Sequence, residues 1–179
     1  TIGQLAYIVL GIGLASRLGV EGGMAHIGMH AFGKITLFFC AGAIFVATGK
    51  KRVSELAGIG RRMPVTMGAF FIGSLSVIGL PPAGGIVTKL LMVRGAIEAD
   101  LLWVVVVYLV SSFLNVAYLL PIVYRAFFCT EREALFERRF AEAPLLCVLP
   151  PVITAAVSVL LFLAPGVFTS FAALMTTGR

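Results

Sequence analysis

The sequence predicts an all-α membrane protein with five transmembrane helices, the third of them discontinuous, and three observations lead there. Of its 179 residues, 60% are hydrophobic and only 12% charged, which is more apolar surface than a soluble domain of this length could hide. The apolar residues form long unbroken runs, not the polar/apolar alternation of β-barrel strands. Most of these runs are long enough to approach or exceed the ~20 residues that cross a ~30 Å hydrocarbon layer.

The first run extends from about Ile2 to Ser16, and its Gly11 and Gly13 read as sites of close helix packing. The second extends from about Met24 to Thr48. The third, from about Pro64 to Ile97, would be ~50 Å long as one helix at 1.5 Å per residue, far more than a straight span needs. The fourth covers about Leu101 to Phe128 and the fifth about Pro144 to Val167.

The middle of the third run reads GLPPAGG, Gly79 to Gly85. Pro81 and Pro82 remove two amide donors, and Gly79, Gly84 and Gly85 loosen the backbone, so the helix is expected to break there. Unpaired backbone at membrane depth is tolerated only where protein or a water-filled cavity covers it. A discontinuous helix therefore points to an ion or substrate pathway. A short helical hairpin or an interfacial re-entrant segment would show the same pattern.

Charge is concentrated between the runs. Lys50, Lys51, Arg52, Arg61 and Arg62 precede the third run with Glu55 as their only acid. Arg132, Arg138 and Arg139 precede the fifth, mixed with Glu131, Glu133, Glu137 and Glu142. Arg17 with Glu21, and Arg94 with Glu98 and Asp100, mark the other two connections. Basic loops stay in the cytoplasm, which gives an N-terminus inside, a C-terminus outside and a multi-pass chain in the cell membrane.

Two sets of ionisable groups fall inside the runs. Lys89 follows the break, in the expected first turn of the second half-helix with Thr88 or Gly85 near the cap. There it would face the positive end of a helix dipole and a poor solvent, as a proton-exchanging lysine does. A lysine that snorkels to the interface is the alternative. His26, His30 and Lys34 recur at four-residue intervals in MAHIGMHAFGK. On a helix they form one stripe that climbs ~12 Å, suited to passing protons through ordered water. The alternatives are a zinc site on HxxxH, which here lacks a Glu and a third ligand, and a polar stripe that only holds helices together. Ser111, Ser112 and Asn115 read as packing and hydrogen-bonding groups, and Arg125 as an anchor at the membrane boundary.

Several function classes are excluded. The net charge of +6 sits in short loop clusters, which fits loops beside a membrane and not nucleic-acid binding. Cys40, Cys129 and Cys147 are odd in number with no CxxC, so neither a disulfide framework nor a structural metal site is expected. No phosphate loop, Ser/His/Asp arrangement or cofactor ligand is visible. The chain begins at Thr1 with no signal-peptide pattern.

In the order HIGMHAFGK, SELAGIGRRMPVT and GSLSVIGLPPAGGIVTK, with TIGQLAYIVLG before them, the sequence resembles the C-terminal half of the antiporter-like membrane subunits. That superfamily includes Mrp-type multisubunit cation/proton antiporters and the proton-pumping arm of respiratory complex I. MVRGAIEAD and SSFLNVAYLLPIVYRAFF look most like the D-type member of the Mrp set. The resemblance covers residues 1–128. It implies a proton-conducting subunit made of two inverted five-helix repeats, each with a broken helix. Lys89 would be the broken-helix residue of the second repeat, and His26, His30 and Lys34 would belong to a hydrophilic axis at mid-membrane.

Gly33 stands where the family often has a second Phe, and Ile86 replaces a common aromatic. The first repeat is absent, so the chain is expected to be a fragment. The resemblance also implies other membrane subunits as partners and protons with Na+ as cargo. The resulting division is 1–128 for the transporter part with four spans, 129–143 for a cytoplasmic loop, and 144–179 for a terminal helix and tail. A complex I or hydrogenase subunit, or a structural subunit without a relay, are the competing readings.

Overall fold

A computed structural model describes residues 2–129 and 142–177 and is helical throughout them, with no strand among the described residues. The helices are α1 (Ile2–Gly13), α2 (Arg17–Thr48), a one-turn α3 (Ile59–Arg62), α4 (Pro64–Ile78), α5 (Gly85–Glu98), α6 (Leu102–Phe128), α7 (Leu145–Leu163) and α8 (Gly166–Thr177). A 3-10 turn at Val53–Leu56 precedes α3. Of these, α2, α6 and α7 are long and apolar enough to cross a membrane singly, whereas α1 and α4 are shorter apolar helices. The arginines 132, 138 and 139 and the acids 131, 133 and 137 lie outside the described residues.

α2 is the central pillar. Its 32 residues span ~48 Å by helical rise, and α1, α4, α5, α7 and α8 all pack against it. It starts earlier than the hydropathy pattern suggested. Ser16 caps it by accepting from Gly19 N, and the Ser16 hydroxyl is also within 2.8 Å of Gly95 O. Arg17 to Gly23 is thus two further turns of helix, not a loop. Glycines allow this, since α5 crosses so closely that a Cβ on Gly95 would overlap the backbone of Gly19. Gly11 likewise packs tightly, with Met92 Sδ 2.9 Å from where its Cβ would be. Gly13 faces open space and does not serve the packing role expected of it.

The segment before α4 meets the end of α6 at one end of the bundle. Gly58 N donates to Arg125 O (3.2 Å) and Arg61 Nε to Phe127 O (3.2 Å), joining the segment before α4 to the end of α6. Glu142 reaches the start of α4, where its oxygens accept from Val65 N and from Thr66 Oγ1, both at 2.7 Å. A carboxylate suits a helix N-terminus, where amides lack intrahelical partners. Cys40, Met63 and Met67 fill the core beneath this end, and Tyr7, Met92 and Val104 fill the other. Phe113, Leu109 and Trp103 of α6 remain more than half exposed, as an apolar face toward lipid would be.

The last block is not one span with a loose tail. α7 stops at Leu163, Pro165 supplies no amide donor, and the chain resumes as α8. α8 lies along α2: the Phe168 ring covers Gly28 and tilts against Phe32 at 6.5 Å, and Thr176 Oγ1 donates to Glu21 Oε1 (2.9 Å).

Candidate functional site

The break forms where the prolines and glycines require it. α4 ends in Gly79, whose φ of 88° is left-handed, and the amides of Gly79 and Leu80 both return to Leu75 O. A glycine adopts that conformation without strain. The Pro81–Pro82 bond is cis. Gly84 N then donates to Ser158 O of α7 (2.9 Å), so a neighbouring helix takes up an amide that the break frees. α5 opens at Gly85, where a Cβ would overlap the Ser76 carbonyl, so only glycine fits between the two half-helices.

Lys89 stands in the second turn of α5 and is 8% exposed. Its side chain runs back across Gly79. The ammonium donates to Val77 O and Ile78 O, each at 2.9 Å, and to Ser112 Oγ at 3.2 Å. Nζ also lies 4.6 Å from the centre of the Tyr7 ring. The expected opposition from the α5 dipole is therefore corrected. A lysine stem is long enough to carry the charge to the C-terminal carbonyls of α4, the negative end of that half-helix. Among the described residues Lys89 pairs with no carboxylate.

His26 is 1% exposed and both its nitrogens have partners. Nε2 lies 3.1 Å from Gln4 Oε1, and Nδ1 lies 2.7 Å from Thr88 Oγ1. Gln4 Nε2 donates to Val77 O at 3.3 Å, which leaves its amide oxygen to face the imidazole. That oxygen can only accept, which assigns the proton of neutral His26 to Nε2 and leaves Nδ1 to accept from Thr88. Thr88 Oγ1 is also 3.2 Å from Gly85 O. Its proton thus has two destinations. It goes to His26 when the imidazole is neutral and to Gly85 when the imidazole carries a second proton.

His30 stacks on His26 with ring centroids 5.7 Å apart, and neither of its nitrogens has a protein partner. Lys34 stands furthest round the stripe. Each four-residue step turns 40° round the helix, so two steps rotate Lys34 by 80° from His26. It is half-buried, with its ammonium 5.4 Å from the centre of the Phe38 ring. The structure joins His26 to Lys89 through Gln4 and Val77 O, bonds His26 to Thr88, stacks His30 on His26, and sets the Lys34 ammonium near Phe38.

Sequence reasoning missed Gln4 and Tyr7, and it gave Ser112 a packing and hydrogen-bonding role without placing it beside Lys89. Tyr7 stacks on Tyr108 at 5.1 Å and its hydroxyl reaches Tyr108 O (3.0 Å) and Ser112 Oγ (3.2 Å), so it walls the lysine. Gln4 and Tyr7, polar and one turn apart in an otherwise oily helix, were the available signal. Among the described residues no three His, Cys, Asp or Glu side chains gather as a metal site.

Comparison with known proteins places the chain in a family. The transmembrane family described as NADH:quinone oxidoreductase/Mrp antiporter matches residues 1–115. The N-type subunit of the NADH-quinone oxidoreductase of Desulforudis audaxviator is 41% identical over 127 residues, which is 71% of this chain and 25% of that protein. The D-type subunit of the Na(+)/H(+) antiporter of Alkalihalophilus pseudofirmus is 26% identical over 167 residues, 93% of this chain and 34% of that protein. Among solved structures, the Mrp complex from Dietzia sp. DQ12-45-1b matches with a TM-score of 0.83 at 23% identity, over 95% of this chain and 39% of its counterpart. The chain thus spans roughly a quarter to two fifths of the length of these proteins. The family match covers the helix break, Lys89 and both histidines, and the chain belongs to the NADH:quinone oxidoreductase/Mrp antiporter transmembrane family.

Proposed function

We propose that this chain is part of the proton-conducting membrane subunit of a multisubunit monovalent cation (Na+)/proton antiporter. The observation that carries this reading is the buried network in which Thr88 joins His26 to the half-helix bearing Lys89. A histidine and a lysine at a helix break inside an apolar bundle have little structural use, since apolar side chains would pack there at lower cost.

In this reading His26 takes a proton at Nδ1 as the Thr88 hydroxyl turns to Gly85 O. The other ring proton stays on Nε2, donated to Gln4 Oε1. Lys89 releases and regains its proton against Val77 O, Ile78 O and the Ser112 hydroxyl, which can donate or accept as the lysine changes state. Lys34, one turn beyond His30 on α2, hands protons to or from the rest of the subunit. His30 connects the two. The five spans are α1, α2, the pair α4–α5, α6 and the pair α7–α8, with the end that carries Glu142 and the basic segment in the cytoplasm. Other membrane subunits cover the remaining faces.

A second reading has a specific support. The 41% identity to an N-type subunit of NADH-quinone oxidoreductase favours a proton-pumping subunit of a quinone-linked dehydrogenase, whereas the fold likeness and the longer alignment favour the antiporter. Lys89→Ala and Lys34→Ala in the full subunit within its assembled complex test the shared core. Each is expected to abolish ion-coupled acidification of vesicles. Normal coupling in both would reject the relay. Acidification driven by a sodium gradient selects the antiporter, and acidification driven only by electron flow to quinone selects the alternative.

A further inference from the structure

A groove of about 510 Å³ opens at the end of the bundle that carries the basic segment. Ala41 and Phe45 of α2, Phe70 of α4 and Ile122 of α6 form its walls, with Val53 and Leu56 of the 3-10 turn beside them. From Ala41 to the end of α2 at Thr48 these walls run ~10 Å by helical rise, about a third of the ~30 Å hydrocarbon layer. Phe45 and Val53 are each 46% exposed. Apolar walls of this kind repel water and are filled by hydrocarbon.

The mouth of the groove is cationic, since Lys50 and Lys51 also line it. Gly49 ends α2 in the left-handed region, with φ 70° and its amide returned to Phe45 O, so the chain turns there instead of continuing along the helix axis. The Lys51 ammonium lies 5.2 Å from the centre of the Phe45 ring, one wall of the groove. Lys50 Nζ donates to Glu55 O at 2.7 Å, which ties that side chain to the 3-10 turn. Glu55 turns its carboxyl to the backbone, where Oε2 accepts from the amides of Lys51 and Arg52, both at 3.2 Å. Lys50, Lys51 and Arg52 outnumber this acid. Lysines that only snorkelled would reach away from the groove and not line it.

We propose that this groove binds an anionic phospholipid, with an acyl chain against Phe45, Phe70 and Ile122 and the phosphate between Lys50 and Lys51. Basic side chains at the mouth of an apolar cleft between spanning helices match an anionic head group carried on a hydrocarbon chain. A lipid chain brings no backbone polar groups that these walls would leave unsatisfied, as an extended peptide would. The bound lipid joins the ends of α2, α4 and α6. The site uses none of the relay residues and goes beyond the relay reading.

The test uses the full subunit in its assembled complex, in phosphatidylcholine vesicles holding a trace of photoreactive lipid with a diazirine on its acyl chain. Labelled residues are mapped by mass spectrometry. Photoreactive phosphatidylglycerol is expected to label residues 41–45 and 122 about twentyfold more than photoreactive phosphatidylcholine, at about fivefold for each lysine. Lys50→Gln and Lys51→Gln are each expected to lower that labelling about fivefold. Ala41→Trp, at an exposed position on the groove wall, is expected to remove the labelling of Phe45 and Ile122 in a complex that still assembles. Excess glycerol phosphate at matched ionic strength, a head group without a chain, is expected to leave labelling unchanged; displacement by it would mark a site for soluble phosphate and overturn the lipid. Equal labelling by the two lipids, or wild-type labelling in both lysine variants, overturns the proposal in favour of unselective contact with the bilayer. No label at these residues from either lipid overturns it in favour of cover by another chain of the complex. Lys89→Ala is expected to leave labelling unchanged, so the lipid site and the relay stand or fall separately.

Discussion

Thr88→Val separates the hydroxyl of Thr88 from its shape. The residue is fully buried, so valine keeps the volume and replaces one hydroxyl by a methyl. In the resting state His26 Nδ1 loses its 2.7 Å donor and becomes a buried acceptor without a partner, which costs about 1–3 kcal/mol. The added methyl returns about 0.8 kcal/mol through burial. The net loss of stability is about 1 kcal/mol, small enough for the complex to assemble. The effect on transport is larger. Protonated His26 needs an acceptor at Nδ1, and a hydrogen bond to a charged group contributes about 1.5–3 kcal/mol. Removing it slows proton passage by about ten- to hundredfold, at 1.4 kcal/mol per factor of ten. The assay is the rate of dye-reported acidification in proteoliposomes holding the full complex, with Thr88→Ser as the control that restores the hydroxyl. Wild-type rates in Thr88→Val would refute the two-destination hydroxyl and, with it, the protonation of His26 at Nδ1.

Further outcomes follow from single contacts. Gly85→Ala pushes a methyl into the Ser76 carbonyl and is expected to cost about 1–3 kcal/mol by overpacking, seen as a lower yield of assembled subunit, whereas Gly13→Ala, in open space, leaves the yield unchanged. Gly28→Leu would meet the Phe168 ring and lift α8 from α2, read as faster proteolysis after Leu163. The exposed carboxyl of Glu55 is held below the usual carboxylate range, chiefly by the backbone amides of Arg52 and Lys51 that donate to it. Its contribution is thus present at neutral pH and lost as pH falls through its lowered pKa. Amide protection factors over residues 50–56, corrected for the intrinsic exchange rate at each pH, are expected to fall in acid, and Glu55→Gln to remove that pH dependence.

Much of this molecule is legible in its sequence because bilayer physics leaves few choices. Long apolar runs must be helices, and tandem prolines flanked by glycines must interrupt one of them. The burial of His26 and His30 follows equally from their spacing within an oily run. The rest depends on where neighbouring helices cross. The direction of the Lys89 side chain was misread because a local dipole argument saw only α5, whereas a long flexible stem reached α4. Spacing puts Lys34 on the stripe at 40° per step, but it does not say where a long stem carries the ammonium, which lies 5.4 Å from the centre of the Phe38 ring. Gln4 went unnoticed because one amide in an apolar helix gives no pattern until His26, 22 residues away, arrives opposite it. α8 was read as a tail because the end of the chain is only moderately apolar, and Glu21 and Gly28, which receive it, belong to a distant segment.

The most direct measurement of the central claim is proton flux through the complex bearing His26→Gln. Glutamine keeps hydrogen-bonding groups near Gln4 and Thr88 but cannot take up a proton at neutral pH. The account predicts a complex that assembles normally, with Lys89 still bound to Val77 O and Ile78 O, and a flux reduced to that of Lys89→Ala. A His26→Gln complex that acidifies vesicles at the wild-type rate would contradict it.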